Sequence, residues 1–137
     1  MVGVVLVGHG RLAVEVVRTL ESVVGPLEAF EAVPTSTADG AAAIRAQIAD
    51  AVRRVERGRG TLILTDMLGD TATNQALLLA ENAAVEVVAG ANVPMLIKVT
   101  TARREMDVHA LAAFIIRYGR EHIFWATAPA HRRRKAN

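Results

Sequence analysis

The residues best placed to do chemistry are His9 and Asp66. His9 stands between Gly8 and Gly10 in the run VVLVGHGRLA, where an apolar stretch of strand type ends and a helical pattern begins at once. Glycine on both sides removes bulk and lets another chain or an anion approach the backbone. Asp66 ends a second apolar run, TLILTD, and is followed by MLGDTATN. A carboxylate beside an imidazole holds one ring nitrogen in its protonated form and leaves the lone pair of the other free to attack. With an unperturbed pKa of about 6.5, histidine is largely neutral near pH 7 and so nucleophilic. Gly69, Thr71 and Thr73 fall where the next helix begins, and the free N–H groups of a helix start attract anions. A phosphoryl group is the electrophile that suits all three parts. Each part also has an ordinary structural reading: a tight strand-to-helix turn, a hydrogen-bonded pair, and Asp70, Thr71 or Thr73 as a helix cap. Capping explains the small polar residues; it does not explain why His9 and Asp66 end two strands at one edge.

The elements that must position these residues follow from periodicity. Val2–Val7 is a continuous apolar run and reads as a buried strand. From Leu12 the apolar residues recur at helical spacing until Gly25-Pro26. Leu27–Val33 is a weaker strand, PTSTADG a turn, and Ala41–Val55 a helix with Ile44, Ile48 and Val52 on one face. TLILTD is the second clear buried strand, MLGDTATN a loop, and QALLLA a helix. VEVVAG is a short strand, followed by the loop GANVP and a helix from Met95. A further helix, Val108–Tyr118, leads through Gly119 to HIFWA, which has the composition of a final short strand. Alternating strands and helices imply an α/β fold, doubly wound, with a mostly parallel central sheet and helices on both faces. Right-handed crossovers put the strand-to-helix loops GHGR, TDMLGDTATN and AGANVP at one edge, where such sheets bind ligands.

Composition bounds the alternatives. The chain has 137 residues, 52% hydrophobic and 22% charged, which suits one compact domain with a real core. It contains no cysteine, which excludes disulfides, thiolate metal sites and thiol nucleophiles. No signal peptide is visible and no apolar segment is long enough to span a bilayer, so the expected location is the cytoplasm, without membrane insertion. The net charge of +2 comes from the end of the chain. Arg132, Arg133, Arg134 and Lys135 supply four of 16 basic residues, leaving 12 against 14 acidic ones. Residues 128–137 read as a basic, disordered tail on a domain of residues 1–127. Without aromatic interleaving or a binding motif, the tail does not make nucleic acid an expected partner.

The runs VVLVGHGRLA, LILTDMLGDTATN and VEVVAGANVPMLIK, in that order and covering about residues 1–125, resemble the IIA component of the mannose-family phosphoenolpyruvate-dependent sugar phosphotransferase system. The resemblance implies a phosphorylated histidine at a strand end, which falls on His9, with Asp66 partnering its ring. The phosphoryl-binding positions fall on Gly10, Gly69, Asp70, Thr71, Ala72 and Thr73. It implies transfer from the small histidine phosphocarrier protein to a IIB component, with neither cofactor nor metal. It also implies a homodimer that exchanges a last strand, a role that HIFWA would fill.

The sequence departs from that family pattern close to the chemistry. The family usually has threonine where this chain has Gly8, and Gly-Gly-Thr/Ser-Pro where it reads Gly69-Asp70-Thr71-Ala72. Two unit charges about 5 Å apart at an effective dielectric near 20 interact by roughly 3 kcal/mol, so an ionised Asp70 facing the phosphoryl group would weaken phosphohistidine. Two other classes stay open beside a phosphocarrier. One is a phosphotransfer-impaired regulatory domain that works by binding partners. The other is a small tetrapyrrole metal chelatase, whose VGHG-like start is similar but which needs a second histidine on the same sheet edge. Here the next histidine is His109, expected on a helix; His122 reads as a surface or packing residue, and His131 belongs to the tail.

Overall fold

The valine and leucine run at the N-terminus forms β1 (Gly3–His9), with Val4, Val5, Leu6 and Val7 all buried. The structure, a computed structural model, describes residues 1–81 and 84–129. The chain continues through α1 (Leu12–Val24), β2 (Phe30–Thr35), α2 (Ala41–Val55) and β3 (Thr61–Thr65). It ends with α3 (Thr71–Leu79), β4 (Val85–Ala89), α4 (Val93–Ala102) and α5 (Val108–Glu121). The four strands form one all-parallel sheet in the order β2-β1-β3-β4. The chain thus leaves β1 in one direction and returns across it in the other, which makes the β1/β3 boundary the switch point.

Side chains on a strand alternate between faces, and the core divides accordingly. Val4, Leu6, Leu62, Leu64 and Val88 pack with Leu20 of α1, Leu96 and Val99 of α4, and Leu111 and Ile115 of α5. Val5, Val7, Ile63 and Val85 pack with Ile44, Ile48 and Val55 of α2 and Ala72 and Ala76 of α3. Burying both faces removes any need for polar residues within β1 or β3, and each full valine or leucine burial stabilises the fold by about 1.5–3 kcal/mol. The parity also sends His9 toward the face covered by α2 and α3.

Several boundaries differ from the sequence-based expectation. β1 extends past Val7 to His9, and β2 runs from Phe30 through Pro34 to Thr35 where Leu27–Val33 and then a turn were expected, because the two strands stay paired in register as far as His9 and Thr35. α3 begins at Thr71, well before Gln75, because Asp70 accepts the Thr73 N–H at 2.7 Å and caps a polar first turn. α4 begins at Val93 because Asn92 caps it and Pro94 is tolerated in the first turn. α5 runs past Gly119 to Glu121. Gly119 lies against α4, where a Cβ would come within 2.6 Å of Met95 Cε, so it serves close packing and does not stop the helix. Among the described residues the expected final strand at residues 122–126 is not part of the sheet, which ends at β4; residues 123–125 follow α5 as irregular chain, with Ile123 and Trp125 74% and 76% exposed. His131 and the basic run after it lie outside the described residues.

Candidate functional site

His9 is the last residue of β1 and pairs in register with Thr35, the last of β2. Thr35 holds the backbone on both sides of it: its hydroxyl donates to Gly8 O at 3.2 Å and its carbonyl accepts Gly10 N–H at 2.8 Å. Gly10 then takes a left-handed φ of 57°, which turns the chain sharply into α1. Gly8 has a packing reason. A Cβ there would lie 3.2 Å from Ala13 N and 3.3 Å from Ala13 Cβ, so its absence lets α1 approach the strand.

Asp66 follows directly on β3, the other neighbour of β1. Its Oδ2 accepts the His9 backbone N–H at 3.0 Å and meets His9 Nδ1 at 2.7 Å, while Oδ1 accepts Met67 N–H at 3.0 Å. Burial pushes this carboxyl up. The hydrogen bonds from the His9 amide and ring, the charge of the ring and the Met67 amide outweigh that and hold the pKa below the usual carboxylate value. An ionised Asp66 can only accept, so Nδ1 is the protonated nitrogen and Nε2 carries the lone pair when the ring is neutral. The hydrogen bond that the His9 ring donates to Asp66 is the main cause that raises the His9 pKa; burial opposes it, and the charges of Asp66 and Asp70 add to it.

Nε2 faces a cleft of about 250 Å³ walled by Thr35, Ser36, Thr37 and Asp39 on one side and by Gly69, Asp70, Thr71 and Ala72 on the other. Gly69, Asp70, Thr71 and Ala72 are therefore brought to His9 as the sequence suggested, at the N-terminus of α3. Thr73 differs. Its hydroxyl turns inward to Met67 O at 2.7 Å and Thr65 Oγ1 at 2.9 Å, and its amide is taken by Asp70. Gly10 shapes the turn and does not line the cleft. The β2–α2 wall escaped the sequence reading, which treated PTSTADG only as a turn. Its signal was its place after a strand, but which strand neighbours β1 is a property of the sheet order.

Asp70 stands against the other ring nitrogen of His9. Its Oδ2 lies 3.4 Å from His9 Nε2 and is buried without a hydrogen-bond partner. His9, Asp66 and Asp70 are a group whose potential ligand atoms lie within 4.8 Å of one another. His9 Nδ1 and Asp66 Oδ2 already bond each other, which leaves Nε2 and Asp70 as free donors, fewer than the three protein ligands of a typical catalytic zinc site. The other histidines are engaged elsewhere. His109 Nδ1 meets Glu86 at 3.0 Å near the start of β4, away from the strand ends that carry His9, and His122 stacks on Tyr118 with ring centroids 3.7 Å apart. Among the described residues nothing supplies the paired histidines of a chelatase.

Fold and site together define a doubly wound α/β domain with a carboxylate-held histidine open to a cleft at its switch point. Residues 3–116 match the family model EIIA-man, the PTS system fructose IIA component. The sorbose-specific EIIA component of the PTS system from Lacticaseibacillus casei is 29% identical over 121 residues, 86% of either chain. The fructose-specific EIIA component from Bacillus subtilis (strain 168) is 25% identical over 112 residues, 81% of this chain and 77% of that one. The mannose/sorbose specific IIA subunit from Enterococcus faecalis superimposes with a TM-score of 0.82 at 28% identity, covering 93% of this chain and 96% of the other. The chain belongs to the EIIA-man family of sugar phosphotransferase system components. No helix among the described residues is long and apolar enough to cross a membrane.

Proposed function

We propose that the protein is a cytoplasmic phosphocarrier that accepts a phosphoryl group on His9 Nε2 from the histidine phosphocarrier protein and passes it to a IIB component. The observation that carries this reading is the 2.7 Å contact between His9 Nδ1 and Asp66, which leaves Nε2 as the nitrogen facing the cleft. In the charging step the Nε2 lone pair attacks the donor's phosphorus. A new N–P bond forms, the donor's N–P bond breaks, and its electron pair returns to the donor's imidazole. The proton stays on Nδ1, where Asp66 balances the charge that the ring gains. The N–H groups of Thr71 and Ala72, at the first turn of α3 and without intrahelical acceptors, are available to phosphoryl oxygens. Transfer onward reverses the step with IIB as acceptor.

Assembly as a homodimer belongs to the same reading. β4 lies at the sheet edge, and Ile123 and Trp125 are large apolar side chains exposed beyond α5. A second copy would offer its own sheet edge to that segment and cover them. A monomer in sedimentation of the full-length chain would contradict it.

The function is tested by incubation with phosphoenolpyruvate, enzyme I and the phosphocarrier protein, followed by intact mass. One phosphoryl group should be gained, labile in acid and stable in base, and His9→Ala should gain none. Undiminished phosphorylation of His9→Ala would overturn the assignment.

A further inference from the structure

We propose that Asp70 is an autoinhibitory latch: its carboxylate fills the place that a phosphoryl group on His9 must occupy, and it has to swing away before His9 can be charged. The inference rests on the reading of His9 as phosphoacceptor. Three observations carry it. Oδ1 holds the Thr73 N–H at 2.7 Å, one of the amides at the start of α3 that a phosphoryl oxygen would use. Oδ2 sits 3.4 Å from Nε2, a van der Waals separation that leaves no room for an atom between them. That same oxygen is buried and makes no hydrogen bond.

Helix capping alone does not account for this arrangement. A cap needs one oxygen on the N3 amide, and serine or asparagine supplies it without a charge. The second oxygen of a capping aspartate ordinarily faces water. Here it is turned against the nucleophilic nitrogen, where only a protonated ring would satisfy it. The latched state therefore favours the protonated ring and blocks the incoming group, and both effects oppose charging. The cleft offers no cation to offset them: among its lining residues the ionisable ones are His9, Asp39 and Asp70.

Rotation of the Asp70 side chain toward solvent breaks both contacts and hydrates the unpaired oxygen. It removes the negative charge from Nε2, frees the Thr73 amide and opens the space above the ring. The adjoining residues suit such a movement, since Leu68 is 77% exposed and Gly69 has a left-handed φ of 89° with open space around it. On this view the resting protein is held off, and charging waits on whatever draws Asp70 outward.

The test compares charging time courses of the full chain, Asp70→Gly and Asp70→Ser, using the phosphocarrier system and intact mass. Glycine and serine both N-cap helices well, and circular dichroism confirms that each variant is folded. Asp70→Gly should charge about tenfold faster, the factor expected for releasing one charged hydrogen-bonding contact. Asp70→Ser, which keeps an oxygen on the Thr73 amide but no charge, should gain less. In the uncharged protein, NMR titration of the His9 ring should move to lower pH in both variants. Equal charging of wild type and Asp70→Gly would overturn the latch and leave the phosphoacceptor reading standing. Failure of all three proteins to charge would remove that reading and the latch with it.

Discussion

The two edges of the sheet treat their charged groups in opposite ways. At the amino edge, Glu56 Oε1 accepts the N–H groups of Gly58, Arg59 and Gly60, closing the α2–β3 turn with one carboxylate. Arg103, 1% exposed, donates to Glu28 O at 2.6 Å and Ala29 O at 3.0 Å while lying over the Phe30 ring. Burial lowers its pKa, with the charge of Arg104 adding and that of Glu28 opposing. These groups hold backbone, although Arg103 Nε is itself buried without a hydrogen-bond partner. At the carboxyl edge, His9 keeps 37% of its side chain exposed, and Asp70 keeps an oxygen with no hydrogen-bond partner. In a parallel sheet the strand ends and helix N-termini converge at the carboxyl edge, so polar groups left unpaired there face one another and can react. The same residue types hold backbone at one end and stand open to a cleft at the other.

The largest expected effect tests the amino edge. Arg103→Ala takes the side-chain donor from Glu28 O and one of two donors from Ala29 O, which keeps the Val4 N–H, and leaves a void beside Phe30; it should cost about 3–5 kcal/mol in denaturant unfolding. Arg103→Lys should restore only part of this, since an ammonium cannot span both carbonyls as the planar fork does. The folded fraction of either variant should charge at His9 as wild type does. Unchanged stability would break the comparison, because Arg103 would then not be holding the edge.

Asp66→Asn tests the other edge and should do the reverse. Its two oxygens accept three N–H groups, so either orientation of an amide places an NH₂ against a donor. Charging should fall about a hundredfold, with stability changed by about 1 kcal/mol or less. A normal rate would reduce Asp66 to a structural role. Thr35→Val lies between the two cases. It removes a buried hydroxyl from Gly8 O while the carbonyl on Gly10 N–H remains, and should cost about 1 kcal/mol. Its charging rate should drop only a few-fold, because the ring and its Asp66 contact stay in place. A larger loss of rate than Asp66→Asn shows would mean that backbone placement, and not ring orientation, governs the site.

The comparison also explains what could be read in the sequence. β1, β3 and α2 were legible because a buried parallel strand must be continuously apolar and an amphipathic helix must repeat. The edge shared by His9 and Asp66 followed from strand–helix alternation alone. Arg103 was not legible: in TARREM nothing local separates it from Arg104, and only the packing of α4 against the β2 loop buries one of them. The β2–α2 wall was missed because its nearness to His9 depends on strand order. The segment 122–126 read as a strand from its composition, which registers apolar side chains but not where the sheet ends. The position of Asp70 was legible as a helix start, but not that its second oxygen turns inward.

The smallest expected effect sets stability against function within one titration. His9 is faced by Asp66 after β3, Asp70 at α3 and Asp39 in the β2–α2 loop, while Arg11 beside it is engaged with Glu15 at 2.9 Å. The His9 pKa is raised above its ordinary 6.5, chiefly by the Asp66 hydrogen bond. A raised pKa in the fold means that the stabilisation from the protonated ring is complete below the unfolded value and is lost as pH rises through the folded value. The lowered Asp66 pKa sets the other limit: its contribution is present above the ordinary carboxylate range and is lost as pH falls through the lowered value. The thermal midpoint of wild type should therefore exceed that of His9→Gln most between these limits. The difference should be only about 1–3 °C, as suits a pair open to solvent. Charging needs the unprotonated Nε2, so its rate should climb over the interval in which that margin disappears. Asp70→Gly should shift both changes to lower pH together. A charging rate that stays flat while the stability margin falls would show that the ring titrates without controlling the chemistry, and would detach the charge balance of this edge from its function.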